Sequence, residues 1–142
     1  MSIMTERDRA AVRTEFGKLT GPVKLVVFSQ ELLAGDLCRQ NEALVREVAE
    51  LSDKIAVEVL NPAIDRERAQ PYGVDQVPAL VVEGARDYGI RFYGVPLGYE
   101  FSNLIDSIVA VSSGEASLMA ETKSSLATLA GDVEIKVFST PT

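Results

Sequence analysis

The sequence predicts an α/β sandwich in which helices flank a mixed, four-stranded β-sheet. Two observations support this fold class. First, apolar residues recur with the period of an α-helix in some segments, whereas other segments are rich in β-branched residues or alternate along the chain, as strands do. Second, these segments follow one another in the order α-β-α-β-α-β-β-α. The βαβ half implies a parallel first strand pair, and the ββα half implies an antiparallel last pair. A chain of 142 residues has room for one such domain and an appendage.

The first half of the chain contains two predicted helices and two predicted strands. Residues 5–16 form a helix that Thr5 can cap. The run VKLVVFS is rich in β-branched residues, which is typical of a buried strand. Asp36 is expected to cap a second helix that ends near Leu51, because apolar residues share one face over that length. DKIAVEVLN then alternates as a second strand.

The second half contributes a short helix, two strands and a long helix. Residues 65–72 form a short charged helix, and Gly73 is placed to end it. ALVVEG and GIRFYG predict two strands, and residues 84–89 fit a hairpin connection between them. Residues 99–111 carry an apolar stripe that is typical of an amphipathic helix.

The C-terminal segment nearly repeats an earlier part of the chain. GDVEIKVFS, at residues 131–139, follows GPVKLVVFS after 110 residues, and a helix is predicted ahead of each copy. We therefore predict one unit over residues 1–114 and the beginning of a second unit over residues 115–142, with a helix at 121–130 and a strand at 133–138. Because an unpaired apolar strand favours aggregation, this strand is expected to join the main sheet or to pair with another molecule, as in a homodimer.

Composition argues against several classes of function. A net charge of −7 disfavours nucleic-acid partners, since nothing here would neutralise a row of phosphates. No apolar run is long enough to span a membrane, and no secretory signal is apparent. Without histidine, imidazole metal sites and Ser-His or Cys-His pairs are impossible. The Asp and Glu residues show no metal-ligand spacing, and neither a metal nor another cofactor is expected. One cysteine excludes an intrachain disulfide, so a reducing cytoplasm is expected.

Three stretches together resemble the thioredoxin/glutaredoxin superfamily. They are VKLVVFSQELLAGDLCRQNEALVREVAELSDKI, then YGVDQVPALVV, which is similar to the cis-proline loop of that family, and YGIRFYGVPLGYEFSNLIDSIVAVSSGE. They look most like the N-terminal unit of a double-domain protein disulfide oxidoreductase. The N-terminal region of the flavoprotein subunit of alkyl hydroperoxide reductase is also similar. The resemblance implies a thioredoxin-like fold.

The resemblance also implies a site at the start of the cysteine helix. In that family a Cys-x-x-Cys motif stands there; its first cysteine attacks a disulfide and its second resolves the mixed disulfide. Here Cys38 takes the resolving position, and Gly35 takes the position of the missing nucleophile. The Val77-Pro78 bond is expected to be cis and to face this helix, with the Val77 backbone binding an extended substrate strand. An ordinary proline that opens an edge strand is the alternative.

These residues support one main functional hypothesis and two alternatives. The chain is expected to be the redox-degenerate first unit of a thiol–disulfide oxidoreductase, which serves as scaffold and docking surface. A second unit beyond Thr142 is expected to carry out the exchange with protein thiols and disulfides. The alternatives are a non-catalytic partner-binding module of a peroxidase or reductase system, and monothiol chemistry at Cys38, for example with glutathione. For Cys38 itself the simplest interpretation is a buried, inert thiol, because Asp36 opposes a thiolate and the helix dipole loses its effect within a turn.

Overall fold

A computed structural model of the chain, which describes residues 2–140, contains the predicted mixed sheet flanked by helices. The strands are Val23–Phe28 (β1), Ile55–Leu60 (β2), Ala79–Glu83 (β3) and Asp87–Tyr93 (β4). The α-helices are Glu6–Phe16 (α1), Glu31–Ala49 (α2), Arg66–Ala69 (α3), Tyr99–Ser113 (α4) and Ala120–Ala127 (α5), and a 3-10 turn at Gln70–Tyr72 follows α3. Met1, Pro141 and Thr142, which the sequence assigns to the ends of the two units, lie outside the described residues. No helix in the described part is long and apolar enough to cross a membrane.

The order of the strands in the sheet is β2-β1-β3-β4. β1 pairs parallel with β2 and antiparallel with β3, and β3 pairs antiparallel with β4. The predicted parallel first pair and antiparallel last pair are therefore confirmed. Phe28, at the end of β1, lies opposite both Leu60, at the end of β2, and Ala79, at the start of β3. The start of α2 and the loop before β3 therefore lie together at the same end of the two central strands.

Two apolar clusters cover the two faces of the sheet. The larger one joins alternate residues of β1 to buried residues of α1, α2 and α4. The smaller one contains Val26 and Phe28, which pack with Leu60, Ala69 and Val81. A strand that is buried on both faces is expected to be apolar almost throughout, and the sequence VKLVVF of β1 has this composition.

α2 begins earlier than predicted and is kinked near its start. Ala34 has non-helical dihedral angles (φ −148°, ψ 49°), so the regular part of the helix begins at Gly35. The prediction that Asp36 caps this helix is wrong, because Asp36 lies inside its first turn and forms an ion pair with Arg39 there. A carboxylate in a first turn still interacts favourably with the helix dipole.

The C-terminal segment confirms the predicted helix but contains no strand. α5 ends at Ala127, and residues 128–140 are neither helix nor strand. The prediction that residues 133–138 join the main sheet is therefore wrong, and the alternative, that they pair with another molecule, stays a prediction. A strand is held by hydrogen bonds to its neighbours. β1 has β2 and β3 beside it, whereas the described part of the second copy contains no equivalents of those two strands.

Glu47 of α2 anchors the N-terminal residues of the chain. Its carboxylate accepts hydrogen bonds from the backbone N–H of Ile3 (2.6 Å) and Met4 (3.2 Å) and from the Ser2 hydroxyl (2.8 Å). Burial raises the pKa of Glu47, but these hydrogen bonds and the charge of Arg9 together hold that pKa below its usual value. The ionised carboxylate therefore stabilises the contact between the N-terminus and α2.

Replacing Glu47 with glutamine is expected to lower the free energy of unfolding at neutral pH by about 1–2 kcal/mol, because hydrogen bonds to a charged acceptor are the stronger ones. A lowered pKa in the folded state stabilises the fold above the ordinary glutamate pKa, and this stabilisation is lost as pH falls through the lowered value. The difference between wild type and variant should therefore shrink in acid. Urea unfolding at a series of pH values measures it.

The matched control is Glu42→Gln on the same helix. The Glu42 carboxylate bonds Arg46 one turn along the helix surface, and such exposed pairs contribute about 0.5 kcal/mol or less. Equal losses of stability in the two variants would contradict the role assigned to Glu47.

Candidate thiol site

Cys38 lies one turn into the regular part of α2 and has no accessible surface. Its Sγ accepts a hydrogen bond from the backbone N–H of Gln30 (3.4 Å) and lies 3.8 Å from the Gln30 carbonyl oxygen, to which the thiol donates. The expectation of a buried cysteine is thus confirmed. A sulfur without accessible surface cannot reach a disulfide in solution unless the start of the helix opens.

Gly35, which the sequence resemblance assigns to the position of a nucleophilic cysteine, stands three residues before Cys38 on the same helix. Residues with this spacing lie on one face of a helix, with Cβ atoms about 5–6 Å apart. A Cβ built on Gly35 meets only the guanidinium end of Arg39 within 4 Å, with Nη1 at 3.3 Å. Because that side chain is flexible, the site has room for a larger residue than glycine.

The Val77-Pro78 peptide bond is cis, as predicted. Pro78 is buried directly before β3, and its carbonyl oxygen accepts a hydrogen bond from the N–H of Gly94 (2.9 Å). The next residue, Ala79, pairs with Phe28, the last residue of β1. The cis-proline loop therefore lies at the end of the sheet where the chain leaves β1 and continues into α2.

Asn41 links the cysteine helix to the first residue of β3, which directly follows the cis-proline, and sequence reasoning missed it. This residue is fully buried one turn after Cys38, and its Nδ2 donates a long hydrogen bond (3.5 Å) to the carbonyl oxygen of Ala79. Its Oδ1 is also buried and has no hydrogen-bond partner among the described residues. The sequence did contain a signal for Asn41, since this amide lies on a helix face that otherwise holds Leu44, Val45 and Val48. A polar group buried on such a face requires a hydrogen-bond partner.

Exposed aliphatic side chains surround the start of α2. Leu32, Leu33, Leu37 and Ile64, which we call the aliphatic rim, are 95%, 73%, 52% and 79% exposed. Leu32 and Ile64 line one groove of about 520 Å³ between the start of α2 and the connection from β2 to α3. Clustered exposed apolar residues are typical of surfaces that bind other proteins.

The described residues do not bring two thiols together. Exchange requires a thiolate that attacks and a second thiol that releases the mixed disulfide. Cys38, the single thiol of the chain, is buried. The cis-proline loop and the aliphatic rim remain available for contact with a polypeptide.

A curated relative and two solved structures resemble the chain, although no family model matches it. The "Probable Thioredoxin" of Methanothermobacter thermautotrophicus is 39% identical over 57 residues, which are 40% of this chain and 62% of that protein. The NTD_N/C domain of the alkylhydroperoxide reductase AhpF from Enterococcus faecalis superposes with a TM-score of 0.77 at 26% identity, over 85% of this chain and 58% of that one. The chain has a thioredoxin-like fold.

A second solved structure has the same thioredoxin-like fold. The protein disulfide oxidoreductase from Aeropyrum pernix K1 superposes with a TM-score of 0.76 at 24% identity, over 89% of this chain and 56% of that chain. These matches confirm the fold and the similarity to thioredoxin-like redox proteins that the three sequence stretches indicated. The chain spans less than two thirds of each of these three proteins, at 62%, 58% and 56% of their lengths.

Proposed function

We propose that the thioredoxin-like chain is the redox-degenerate first unit of a thiol–disulfide oxidoreductase, in which it serves as scaffold and docking surface. One observation supports the proposal: the cis Val77-Pro78 bond lies at the end of the sheet where α2 begins, and exposed aliphatic residues stand at the start of that helix. The sequence resemblance assigns Gly35, on the same helix, to the position of the attacking cysteine. A partner polypeptide can contact the Val77 backbone and the rim without being attacked. Protein thiols and disulfides are the expected partners, since thioredoxin-like proteins generally act on them.

In this proposal a second thioredoxin-like unit carries the disulfide exchange. The repeat of GPVKLVVFS as GDVEIKVFS and the helix α5 ahead of it support a division into residues 1–114 and a second unit that begins with residues 115–142. The double-domain architecture implied by the sequence resemblance supports the same division. A lone buried thiol also suits a reducing compartment, and we propose the cytoplasm.

A second candidate is a non-catalytic module that binds a partner in a peroxidase or reductase system. The similarity to the AhpF domain and the complete burial of Cys38 favour it. Monothiol exchange at Cys38 with glutathione is less well supported, because the reacting sulfur would first have to become accessible. Neither a metal nor another cofactor, a nucleic acid or a membrane has a role in any of these proposals.

Docking at the aliphatic rim is tested by the binding of an extended polypeptide. Fluorescence anisotropy with a dye-labelled, carboxymethylated insulin B chain is expected to show that Leu32→Ser and Ile64→Ser each weaken binding about 5-fold, or about 1 kcal/mol. The matched control is Met119→Ser, which changes a residue that is 73% exposed in the connection to α5. Equal affinities of the rim variants and wild type would remove the docking role.

A further inference from the structure

The groove beside the aliphatic rim offers apolar surface to a side chain that enters it. It lies between the start of α2 and the connection from β2 to α3, and its volume is about 520 Å³. Ligand-binding clefts have volumes of about 300–1,000 Å³. Leu32 lies on the α2 side of the groove and Ile64 on the other side, and both are exposed. Covering them removes apolar surface from water, which favours binding.

The charged residues that line this groove are all acidic. They are Glu31, Glu42 and Asp65, and the lining contains no lysine or arginine. Every other carboxylate of α2 pairs with an arginine, whereas Glu31 has no ion-pair partner among residues 2–140. Asp65 also has no basic partner in that part of the chain. The groove therefore holds two negative charges that no neighbouring side chain neutralises.

Local structure explains where these two carboxylates stand but does not cancel their charge. Glu31 lies in the first turn of α2, where the helix dipole favours an acidic residue. Asp65 Oδ2 accepts a hydrogen bond from the backbone N–H of Asn61 (2.8 Å), which fixes that carboxylate beside the groove. A positively charged group that enters the groove thus meets carboxylates that are already held in place.

A basic side chain with an apolar neighbour satisfies both properties of the groove. Lysine and arginine cover apolar surface with their aliphatic stems and keep the charged end at the polar margin. A neutral segment leaves the two carboxylates unpaired, and an acidic segment is repelled by them. The carboxylates of the described residues form no close group that could hold a metal ion, and side chains of a polypeptide can reach Glu31 and Asp65 separately.

We propose that this groove binds a segment of a partner polypeptide in which a lysine or arginine stands next to a large apolar residue. Glu31 and Asp65 select the basic residue, and Leu32 and Ile64 contact its apolar neighbour. The inference rests on the proposed docking function and adds the chemistry of the segments that dock there.

Three dye-labelled peptides test this selection by fluorescence anisotropy. They share the same leucines and differ in whether lysine, glutamine or glutamate flanks them. At low ionic strength the wild-type chain is expected to bind the lysine peptide about 10-fold more tightly than the glutamine peptide, and added salt should reduce this preference. Glu31→Gln and Asp65→Asn should each reduce it about 3-fold. Glu31→Lys should favour the glutamate peptide instead, which a misfolded variant would not do.

The matched controls are Glu100→Gln and Asp106→Asn, which make the same change of charge on exposed residues of α4 outside the groove. Both should keep the wild-type preference. Equal affinities of the three peptides for wild type overturn the inference. Controls that lose the preference as much as the groove variants also overturn it, because the net charge of −7 would then be its source. Insulin B chain binding that still depends on the rim would in either case leave the docking function standing.

Discussion

Replacing Gly35 with cysteine is expected to create a reducible intrachain disulfide with Cys38. Residues three apart in a helix have Cα atoms about 5 Å apart, which lies within the range that disulfides span. The added Cβ meets the mobile end of Arg39, which can move aside, and the Cys38 sulfur is already held by Gln30. Two thiols are oxidised in the reaction, and their two electrons and two protons convert one glutathione disulfide into two glutathione thiols.

The loss of two hydrogens, measured by mass spectrometry after incubation in oxidising glutathione buffer, reports closure of the bond. The variant is then expected to reduce insulin faster than wild type, because its new thiol lies at the helix start, where the dipole favours a thiolate. The matched control is Gly131→Cys, whose new thiol lies in the exposed C-terminal segment and should form a mixed disulfide with glutathione instead.

The wild-type chain is expected to be inactive in the same assay, and Cys38 should react slowly with a thiol-labelling reagent while the protein is folded. Its complete burial is the physical reason. Wild-type turnover at the rate of a dithiol enzyme would refute the redox-degenerate site. A Gly35→Cys variant that never closes its bond would show that the kinked start of α2 holds the two positions apart.

Substituting Gly84 with alanine is expected to destabilise the fold by about 1–3 kcal/mol, because a group inserted into a packed interior forces the backbone to shift. A Cβ built on Gly84 would clash with the carbonyl oxygen of Val111 and lie 2.9 Å from its carbonyl carbon. Val111 belongs to the last turns of α4, so the helix rests on the backbone of the β3–β4 connection. Only a residue without a side chain permits this approach.

The Gly84 effect is measured by urea denaturation, in which the transition midpoint should fall. Gly131→Ala serves as the matched control, since a Cβ there meets nothing within 4 Å, and its stability should stay within about 0.5 kcal/mol of wild type. Unchanged stability of the Gly84 variant would mean that α4 can shift without loss of packing.

The elements of the main unit could be predicted from the sequence because their signals are local. The β-branched run of β1, the alternation of β2 and the apolar stripe of α4 each depend on residues within one segment. Burial follows the patterns of β1 and α4, whereas in β2 only the two end residues, Ile55 and Leu60, are buried. The C-terminal segment shows the limit of this reasoning. Residues 133–138 have a strand-like composition, yet pairing depends on neighbours that a local pattern does not supply.

The candidate site also has some features that the sequence determines and others that only the structure shows. The sequence by itself determined that one thiol exists, that Gly35 stands three residues before Cys38, and that a proline follows Val77. Only the tertiary structure decided that the Gln30 backbone bonds the sulfur, that Asn41 bonds the strand after the proline, and that Gly84 lies against α4. Residue identity and spacing are properties of the chain, whereas these contacts join groups whose distance depends on how the elements pack, and no local pattern encodes that distance.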